Sequence, residues 1–260
     1  MQTAKKAIPY VLFLIISCVP IGKGSVCRAN ETVDHSIFTE LLIKYVKNDV
    51  VNYQGFKKCE SRLDSYLLVL EKTDTNVLSR NERFAFYINA YNAWTIKLIL
   101  GKYPGVKSIK DLGSIFNSPW KKKICRIDGD VLTLDHIEHK ILRPVFKDPR
   151  VHFAINCAAR SCPPLQSEPY SGNRLDIQLQ ESTEGFINNS THNYLKGNTL
   201  YVSKIFEWFG DDFNGEIVEF FLKHARGELN EKLQAGKGNI TAKYLDYDWS
   251  LNGLKNIRIQ

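Results

Sequence analysis

Two thiols and an imidazole lie close together in the stretch HFAINCAARSCPPL, which covers residues 152–165. Cys157 and Cys162 are separated by four residues, and a double proline follows directly. A cysteine thiolate attacks efficiently when a base lies within hydrogen-bond reach and a third group orients that base. The stretch therefore predicts either a cysteine-dependent hydrolase or acyl transferase, or a pair of cysteines that bond to each other.

Nearby histidines and polar side chains supply the other parts of such a nucleophilic site. His152 and His139 are equal candidates for the base that activates Cys157, and Glu138 or Asn156 is a candidate for the group that orients the base. Residues 151–156 alternate like a β-strand, which would direct His152 and Cys157 to opposite faces. A turn at Asn156 is then needed to bring the thiol back toward the imidazole.

Two further functions fit the same residues. In a non-catalytic extracellular binding domain, a Cys157–Cys162 disulfide pins the loop between the two cysteines, and His152 with Glu138 forms a buried structural pair. In a thiol–disulfide exchange protein, the two cysteines are the redox pair, although their four-residue spacer departs from the two-residue spacer of thioredoxin-like sites.

The composition gives no indication of a cofactor, a metal or a nucleic-acid partner. A zinc site built from His136, His139 and the cysteines has no zinc-finger spacing. The 260-residue chain carries a formal net charge of +7, but residues 1–24 contain three lysines and no acid, so that 32 basic residues face 28 acidic ones without them. This excess is too mild to indicate nucleic-acid binding.

The amino terminus has the three-part layout of a secretory signal peptide. Lys5 and Lys6 precede an uncharged apolar stretch over residues 8–21, and Gly22-Lys23-Gly24 offers a cleavage site. The stretch is too short to span a bilayer comfortably. We therefore expect residues 1–24 to be removed from a secreted protein without stable membrane insertion, residues 25–32 to form an arm, and residues 33–255 to form one domain.

The clearest predicted element is a helix from about residue 82 to Gly101. Ser79 and Glu82 have the spacing of a capping box at its start. The helix is apolar on every side, which predicts a central, buried position. Asn89 and Asn92 lie on one side of it. They either tie the helix to neighbouring backbone, which is the favoured interpretation, or orient a catalytic group.

The remaining pattern predicts a single mixed α/β domain of the α+β class. Asp128-Gly129 is a β-hairpin signal. Alternation over residues 245–251 predicts a half-buried final strand. Because no linker-like break interrupts the chain, we expect one globular domain with a central buried helix and a mainly antiparallel sheet.

A second helix, over residues 134–143, carries a carboxylate on its apolar side. Thr133 is its predicted cap and Pro144 its end. The helical period places Glu138 on the apolar arc, where a carboxylate is costly unless it is paired or protonated. Glu138 is therefore expected to point inward, as a structural anchor or as a site carboxylate with a tuned pKa. Its expected partner within hydrogen-bond reach is His152, Arg150 or Arg160.

Six stretches resemble a known family, the domain of unknown function numbered 547. They are NERFAFYINAYNAWTIKLIL, YPGVKSIKDLG, LTLDHIEHKILRP, DPRVHFAINCAARSCPPL, LYVSKIFEWFGDDF and YDWSLNG. Their order and spacing agree over roughly residues 35–253. The resemblance implies the family's fold, with a distant likeness to papain-like or transglutaminase-like folds, and it implies no established activity. The polar hallmarks that it carries to this chain are Glu82, Asn89, Asn92, Glu138, His139, His152, Cys157, Ser161 and Cys162.

The other cysteines lie outside the family pattern and look like additions suited to a secreted member. Without residues 1–24 the chain has five cysteines, so at least one has no intrachain partner. Cys27 and Cys59 are candidates for a bridge between the arm and the second helix. Cys125, Cys157 and Cys162 then compete for one bridge, and the short Cys157–Cys162 loop is slightly favoured because it closes at low entropic cost.

Four sequons match the pattern for N-glycosylation. They lie at Asn30, Asn188, Asn189 and Asn239. In a secreted chain they are expected glycan sites on exposed loops. Since Asn188 and Asn189 are adjacent, we expect at most one of them to be used.

Overall fold

Helix α4, Arg80–Leu100, forms the centre of the fold in a computed structural model that describes residues 31–114 and 116–254. Seventeen of its 21 residues are buried, which confirms the predicted central helix. Ser79 caps it by accepting a hydrogen bond from the Glu82 N–H at 3.2 Å. The Glu82 carboxylate does not complete the capping box. It accepts instead from the backbone N–H groups of Gly172 and Val33.

The other elements surround α4 as short helices and small sheets. The further helices are α1 (Ser36–Tyr45), α2 (Tyr53–Lys58), α3 (Glu60–Lys72), α5 (Leu134–His136), α6 (Leu175–Ile187), α7 (Ile205–Trp208), α8 (Ile217–His224) and α9 (Gly227–Ala235). Helix α5 continues as a π-helical segment, Ile137–Phe146. The strands are β1 (Val46–Lys47), β2 (Val50–Val51), β3 (Cys125–Ile127), β4 (Asp130–Leu132), β5 (Tyr194–Lys196), β6 (Thr199–Val202) and β7 (Thr241–Tyr244).

Strand pairing is mainly antiparallel, as predicted, but the strands form small separate sheets. β1 pairs with β2 and β3 with β4, and a third sheet has the order β5-β6-β7 with β6 and β7 parallel. The β3–β4 hairpin turns at Asp128 and Gly129, both of which have positive φ. With 51% helix and 12% strand, the chain is a mixed α+β protein with a single globular domain.

Two predicted strands are wrong. Residues 151–156 are not a strand, because Asp148 caps a 3₁₀ turn over Pro149–Phe153 by accepting from the Arg150 N–H. The final strand ends at Tyr244, and residues 245–250 run without a sheet partner. The predicted alternation of burial is nevertheless present, since Tyr247 and Trp249 are half-buried between exposed neighbours.

Two helix boundaries also differ from the prediction. The π-helical segment runs past Pro144 to Phe146. The predicted second helix over residues 57–71 is divided at Cys59 into α2 and α3.

The apolar side chains form two clusters that meet beside the 3₁₀ turn. The larger cluster surrounds α4, and the smaller one joins Phe153 to α6, α7, α8 and β6. Between residues 31 and 254, apart from residue 115, no helix is both long and apolar enough to cross a bilayer. The candidate site lies where the two clusters meet.

Candidate functional site

A cavity of about 250 Å³ lies at the junction of the two clusters. Its lining includes Glu138, His139, His152, Cys157 and Cys162, so the four predicted catalytic candidates and the second cysteine line the same cavity. His152 and Cys157 do not face apart as a regular strand would require. The 3₁₀ turn, which replaces that strand, brings both toward the cavity.

Cys157 and Cys162 form a disulfide, which confirms the favoured pairing. The Cys157 N–H donates to the Cys162 Sγ at 3.0 Å. The Tyr247 hydroxyl lies 3.3 Å from the Cys157 Sγ and 3.2 Å from the Cys162 Sγ. Each sulfur therefore has a hydrogen-bond donor beside it at the wall of the cavity. Such donors stabilise a thiolate when the disulfide is reduced.

The loop that carries the disulfide is also held by backbone hydrogen bonds. The Arg160 N–H donates to Ser250, and the Ser161 N–H donates to Asp248. The Ala158 carbonyl accepts from the Asn252 N–H, and the Asp248 N–H donates to the Ser161 hydroxyl. These bonds fix the loop against residues 248–252 without the disulfide. Ser161 does not line the cavity.

Two asparagines position this loop, and a third ties α4 to another segment. Asn92 accepts from the Asn156 N–H and donates to the Ala154 carbonyl. The Asn156 amide donates to Pro163 and accepts from the Ala158 N–H. Asn89 pairs with both backbone groups of Tyr170. The interpretation that Asn89 and Asn92 tie α4 to neighbouring backbone is confirmed.

Glu138 points inward, as predicted, and is 8% exposed. Burial raises the pKa of its carboxyl to about 7, against a smaller lowering effect from the neighbouring Tyr91. The expected ion pair is absent from the described part of the chain. Arg150 pairs with Asp148 and Asp176, and His152 pairs with Asp212.

His152 and His139 belong to a network centred on Asp212. The His152 Nε2 lies 2.7 Å from the Asp212 carboxylate, and Arg143 donates to both of its oxygens. A carboxylate only accepts hydrogen bonds, so Nε2 carries the proton and Nδ1 is left as the basic nitrogen. Arg143 also lies 2.9 Å from the His139 Nδ1. Burial lowers the pKa of both His139 and His152, which keeps them neutral at pH 7.

Aromatic side chains complete the walls of the cavity. Trp208 lies against Tyr247 and Trp249, with ring centroids 4.8 and 5.6 Å away. Trp120 meets Trp249 edge to face, and His152 stacks on Phe209 at 4.1 Å. The site is therefore a small pocket lined by six aromatic side chains, a disulfide and two histidines.

Sequence reasoning missed Asp212, Tyr247 and the tryptophans. Asp212 follows His152 by 60 residues and Tyr247 follows Cys157 by 90. Both lie in stretches that carry the family resemblance, GDDF and YDWSLNG. The aromatic and acidic residues of those stretches could have marked them as part of a site, but no spacing in the sequence links them to the cysteines.

Cys59 and Cys125 do not line the cavity. Cys125 is buried in β3 without a disulfide partner among the described residues, and burial raises its pKa to about 12. Cys59 has no disulfide partner among the described residues and lies 3.1 Å from the Tyr45 hydroxyl. Its predicted partner, Cys27, lies outside those residues, as do the predicted signal peptide and Asn30. In the part of the chain that the structure describes, no cluster of three metal-ligating side chains occurs.

The central part of the site matches a known family. Residues 75–187 match the family model described as "Protein of unknown function, DUF547", which confirms the resemblance. This segment contains α4, the π-helical segment and the disulfide loop, so the match covers these parts of the chain. No curated protein and no solved structure matches the chain. The likeness to papain-like or transglutaminase-like folds stays a prediction.

Proposed function

We propose that the cavity is a thiol–disulfide exchange site, in which Cys157 and Cys162 alternate between disulfide and dithiol. The observation that carries this proposal is the contact of one hydroxyl, that of Tyr247, with both sulfurs at a cavity wall. A hydrogen bond to a thiolate stabilises the reduced state and makes the sulfur a better leaving group.

The surroundings of the two sulfurs set the direction of exchange. Cys157 is half-buried and Cys162 is buried. A thiolate of a partner dithiol attacks the Cys157 sulfur, and the electron pair of the broken S–S bond moves to Cys162. The Cys162 thiolate then accepts hydrogen bonds from the Cys157 N–H and Tyr247. The partner's second thiolate releases Cys157, so that the partner is oxidised and the protein is reduced.

Glu138 is the candidate proton donor for the leaving thiolate. It lines the same cavity, and its carboxyl has a pKa of about 7, so that both protonation states occur near neutral pH. Burial raises the pKa of the Tyr247 hydroxyl, and the nearby Glu138 raises it further by a smaller amount. A group with this pKa gives a proton to Cys162 on reduction and accepts it on reoxidation.

A purely structural disulfide explains the site less well. The loop already has backbone hydrogen bonds to residues 248–252, as described above. Ala158 within it adopts a left-handed conformation, with φ of 64°, which is uncommon for a residue with a side chain. Backbone of this kind occurs at functional sites more often than in loops that serve only as connections.

The test compares disulfide reduction in wild type, Tyr247→Phe and the matched control Tyr194→Phe, whose ring lies outside the cavity. Reduction by dithiothreitol is quenched with iodoacetamide and followed by mass mapping. Because a hydrogen bond to a charged group is worth roughly 2 kcal/mol, Tyr247→Phe is expected to slow reduction by at least about tenfold. Equal rates in all three proteins would contradict the proposal.

A second candidate, the cysteine-dependent hydrolase or acyl transferase, is favoured by the His152–Asp212 contact. Asp212 orients an imidazole that lines the same cavity as Cys157. Such an enzyme works only after reduction and needs Cys157 alone. Cys162→Ala therefore separates the two candidates, because it ends exchange but leaves thioester or ester hydrolysis intact. A non-catalytic binding domain shows neither activity.

We also propose that the chain is secreted and glycosylated. The predicted signal peptide supports secretion. Asn188 is a poor acceptor, because its amide nitrogen donates to Glu184 and His224. Asn189 and the exposed Asn239 are better acceptors. Glycopeptide mapping of secreted material checks this assignment, and a glycan on Asn188 would contradict it.

A further inference from the structure

The walls of the cavity combine aromatic rings with negative charge. Six of its lining residues are aromatic, and these are Tyr91, Trp120, Trp208, Phe209, Tyr247 and Trp249. Two more are carboxylic acids, Asp135 and Glu138. Among the residues that the structure describes, no lysine or arginine belongs to this lining. Since burial lowers the pKa of both lining histidines, they add no positive charge at neutral pH.

Glu138 has no cation of its own within the described ranges. The nearest guanidinium that acts on its pKa is Arg143, and Arg143 is held by both oxygens of Asp212. A carboxylate that is more than nine-tenths buried and unpaired at a cavity wall is costly in the empty site. A ligand that brings a positive charge removes that cost.

Two cations of the chain itself already lie over aromatic rings of the cavity wall, and one of them is Arg143, 4.9 Å from the centre of the Phe209 ring. The Lys110 ammonium lies 3.9 Å from the centre of the Trp249 ring, although Lys110 does not line the cavity. Tryptophan is the ring that attracts cations most strongly. Trp120, Trp208 and Trp249 all contribute to the wall, so the cavity offers several such rings beside the unpaired carboxylate.

We propose that this cavity binds an organic ammonium or guanidinium group, held between the tryptophan rings and Glu138. The volume of about 250 Å³ lies below the range of pockets for drug-sized ligands and suits one small cation or one basic side chain. The binding groups are distinct from the two sulfurs. The inference therefore goes beyond the exchange activity and does not require it.

Binding is measured on the whole protein with the Cys157–Cys162 disulfide intact, by calorimetry and by tryptophan fluorescence. The probes are choline, its uncharged carbon isostere dimethylbutanol, and amide-capped lysine and arginine. At mildly alkaline pH, at least one of the three cations is expected to bind about tenfold more tightly than dimethylbutanol. Tightest binding of choline indicates a free quaternary ammonium ligand, and tightest binding of a capped amino acid indicates a basic side chain of a peptide.

Two variants test the assigned groups. Glu138→Gln keeps the shape and removes the charge, so it is expected to weaken the tightest cation about tenfold and to leave dimethylbutanol unchanged. Trp208→Leu removes the most exposed of the three tryptophan rings and is expected to weaken binding of the cation. The control Tyr244→Leu lies outside the cavity and is expected to leave that binding unchanged.

Three outcomes overturn the inference. The first is no saturable binding of any of the three cations, and the second is binding of dimethylbutanol as tight as that of the cations. The third is unchanged cation affinity in Glu138→Gln with its near-ultraviolet circular dichroism preserved. Since every measurement uses the intact disulfide, failure here leaves the exchange proposal untouched, and failure of exchange leaves this inference standing.

Discussion

Two buried carboxylates, Glu82 and Glu138, lie in regions with opposite surroundings. Glu82, at the start of α4, accepts hydrogen bonds from the N–H groups of Gly172 and Val33 at 2.7 and 3.2 Å. Glu138, in the π-helical segment, faces the cavity without an ion pair among the described residues, and burial raises its pKa to about 7. Both are less than a tenth exposed, so burial alone does not distinguish them.

The difference lies in what satisfies each charge. Backbone donors satisfy both oxygens of Glu82, which makes it a tie between α4 and two distant segments. Glu138 has the Tyr91 hydroxyl as a hydrogen-bond partner and no backbone donor among the described residues, so its proton is available for exchange near neutral pH. The comparison indicates that a buried polar group acts structurally where the backbone satisfies it, and chemically where it opens into a cavity.

The largest expected effect is the loss of Glu82. Glu82→Ala leaves two backbone donors without their acceptor, at roughly 2 kcal/mol for each hydrogen bond to a charged group. We expect the free energy of unfolding to fall by about 4 kcal/mol, as measured by urea denaturation. Exposed Glu181→Ala is the control, with an expected change within about 0.5 kcal/mol. Equal effects of the two substitutions would show that Glu82 is not a structural tie.

The next effect is a pH dependence carried by Glu138. Its folded-state pKa of about 7 lies above the usual 4.5, so the folded state holds this proton more tightly than the unfolded state. The resulting stability is present below about pH 4.5 and is lost as the pH rises to about 7. At about 1.4 kcal/mol for each pKa unit, the loss is about 3 kcal/mol.

Glu138→Gln removes this dependence. Urea denaturation at pH 5 and pH 8 is expected to show that the variant gains about 3 kcal/mol relative to wild type between the two pH values. Glu181→Gln is again the control, with no such gain. Parallel pH profiles of Glu138→Gln and wild type would place the carboxyl in a solvated environment and end the contrast with Glu82.

The smallest expected effect is the loss of Asp212, a partly buried carboxylate that is paired with His152 and Arg143. Hydrogen bonds from His152 and Arg143 hold its pKa well below its usual range, although it is only partly buried. Its stabilising contribution is present above about pH 4, the usual range of an aspartate, and is lost as the pH falls. Because solvent screens the network, Asp212→Asn is expected to cost only about 1 kcal/mol at pH 7. No measurable loss at pH 7, or an equal loss at pH 3, would contradict this.

Local signals allowed α4, its Ser79 cap, the hairpin at Asp128 and the inward position of Glu138 to be predicted. Each depends on residues a few positions apart. The alternation of residues 151–156 predicted a strand that does not form. Pro149 and the Asp148 cap impose a 3₁₀ turn there, which hydrophobic periodicity does not indicate.

The partners within the site could not be predicted from the sequence. Asp212 reaches His152, and Tyr247 reaches the two sulfurs, only through the packing of the smaller cluster against the larger one. Hydrophobic periodicity within a segment does not indicate which residues of distant segments come into contact. The Cys157–Cys162 pairing was predictable because its loop is local.

The most direct test of the central claim is the reduction potential of the Cys157–Cys162 disulfide, measured by equilibration in glutathione buffers and mass mapping of both cysteines. Donors on both sulfurs and access from the cavity predict a midpoint between about −180 and −270 mV, the range of thiol–disulfide exchange proteins. A midpoint more negative than about −300 mV, typical of structural disulfides in secreted proteins, would contradict the claim.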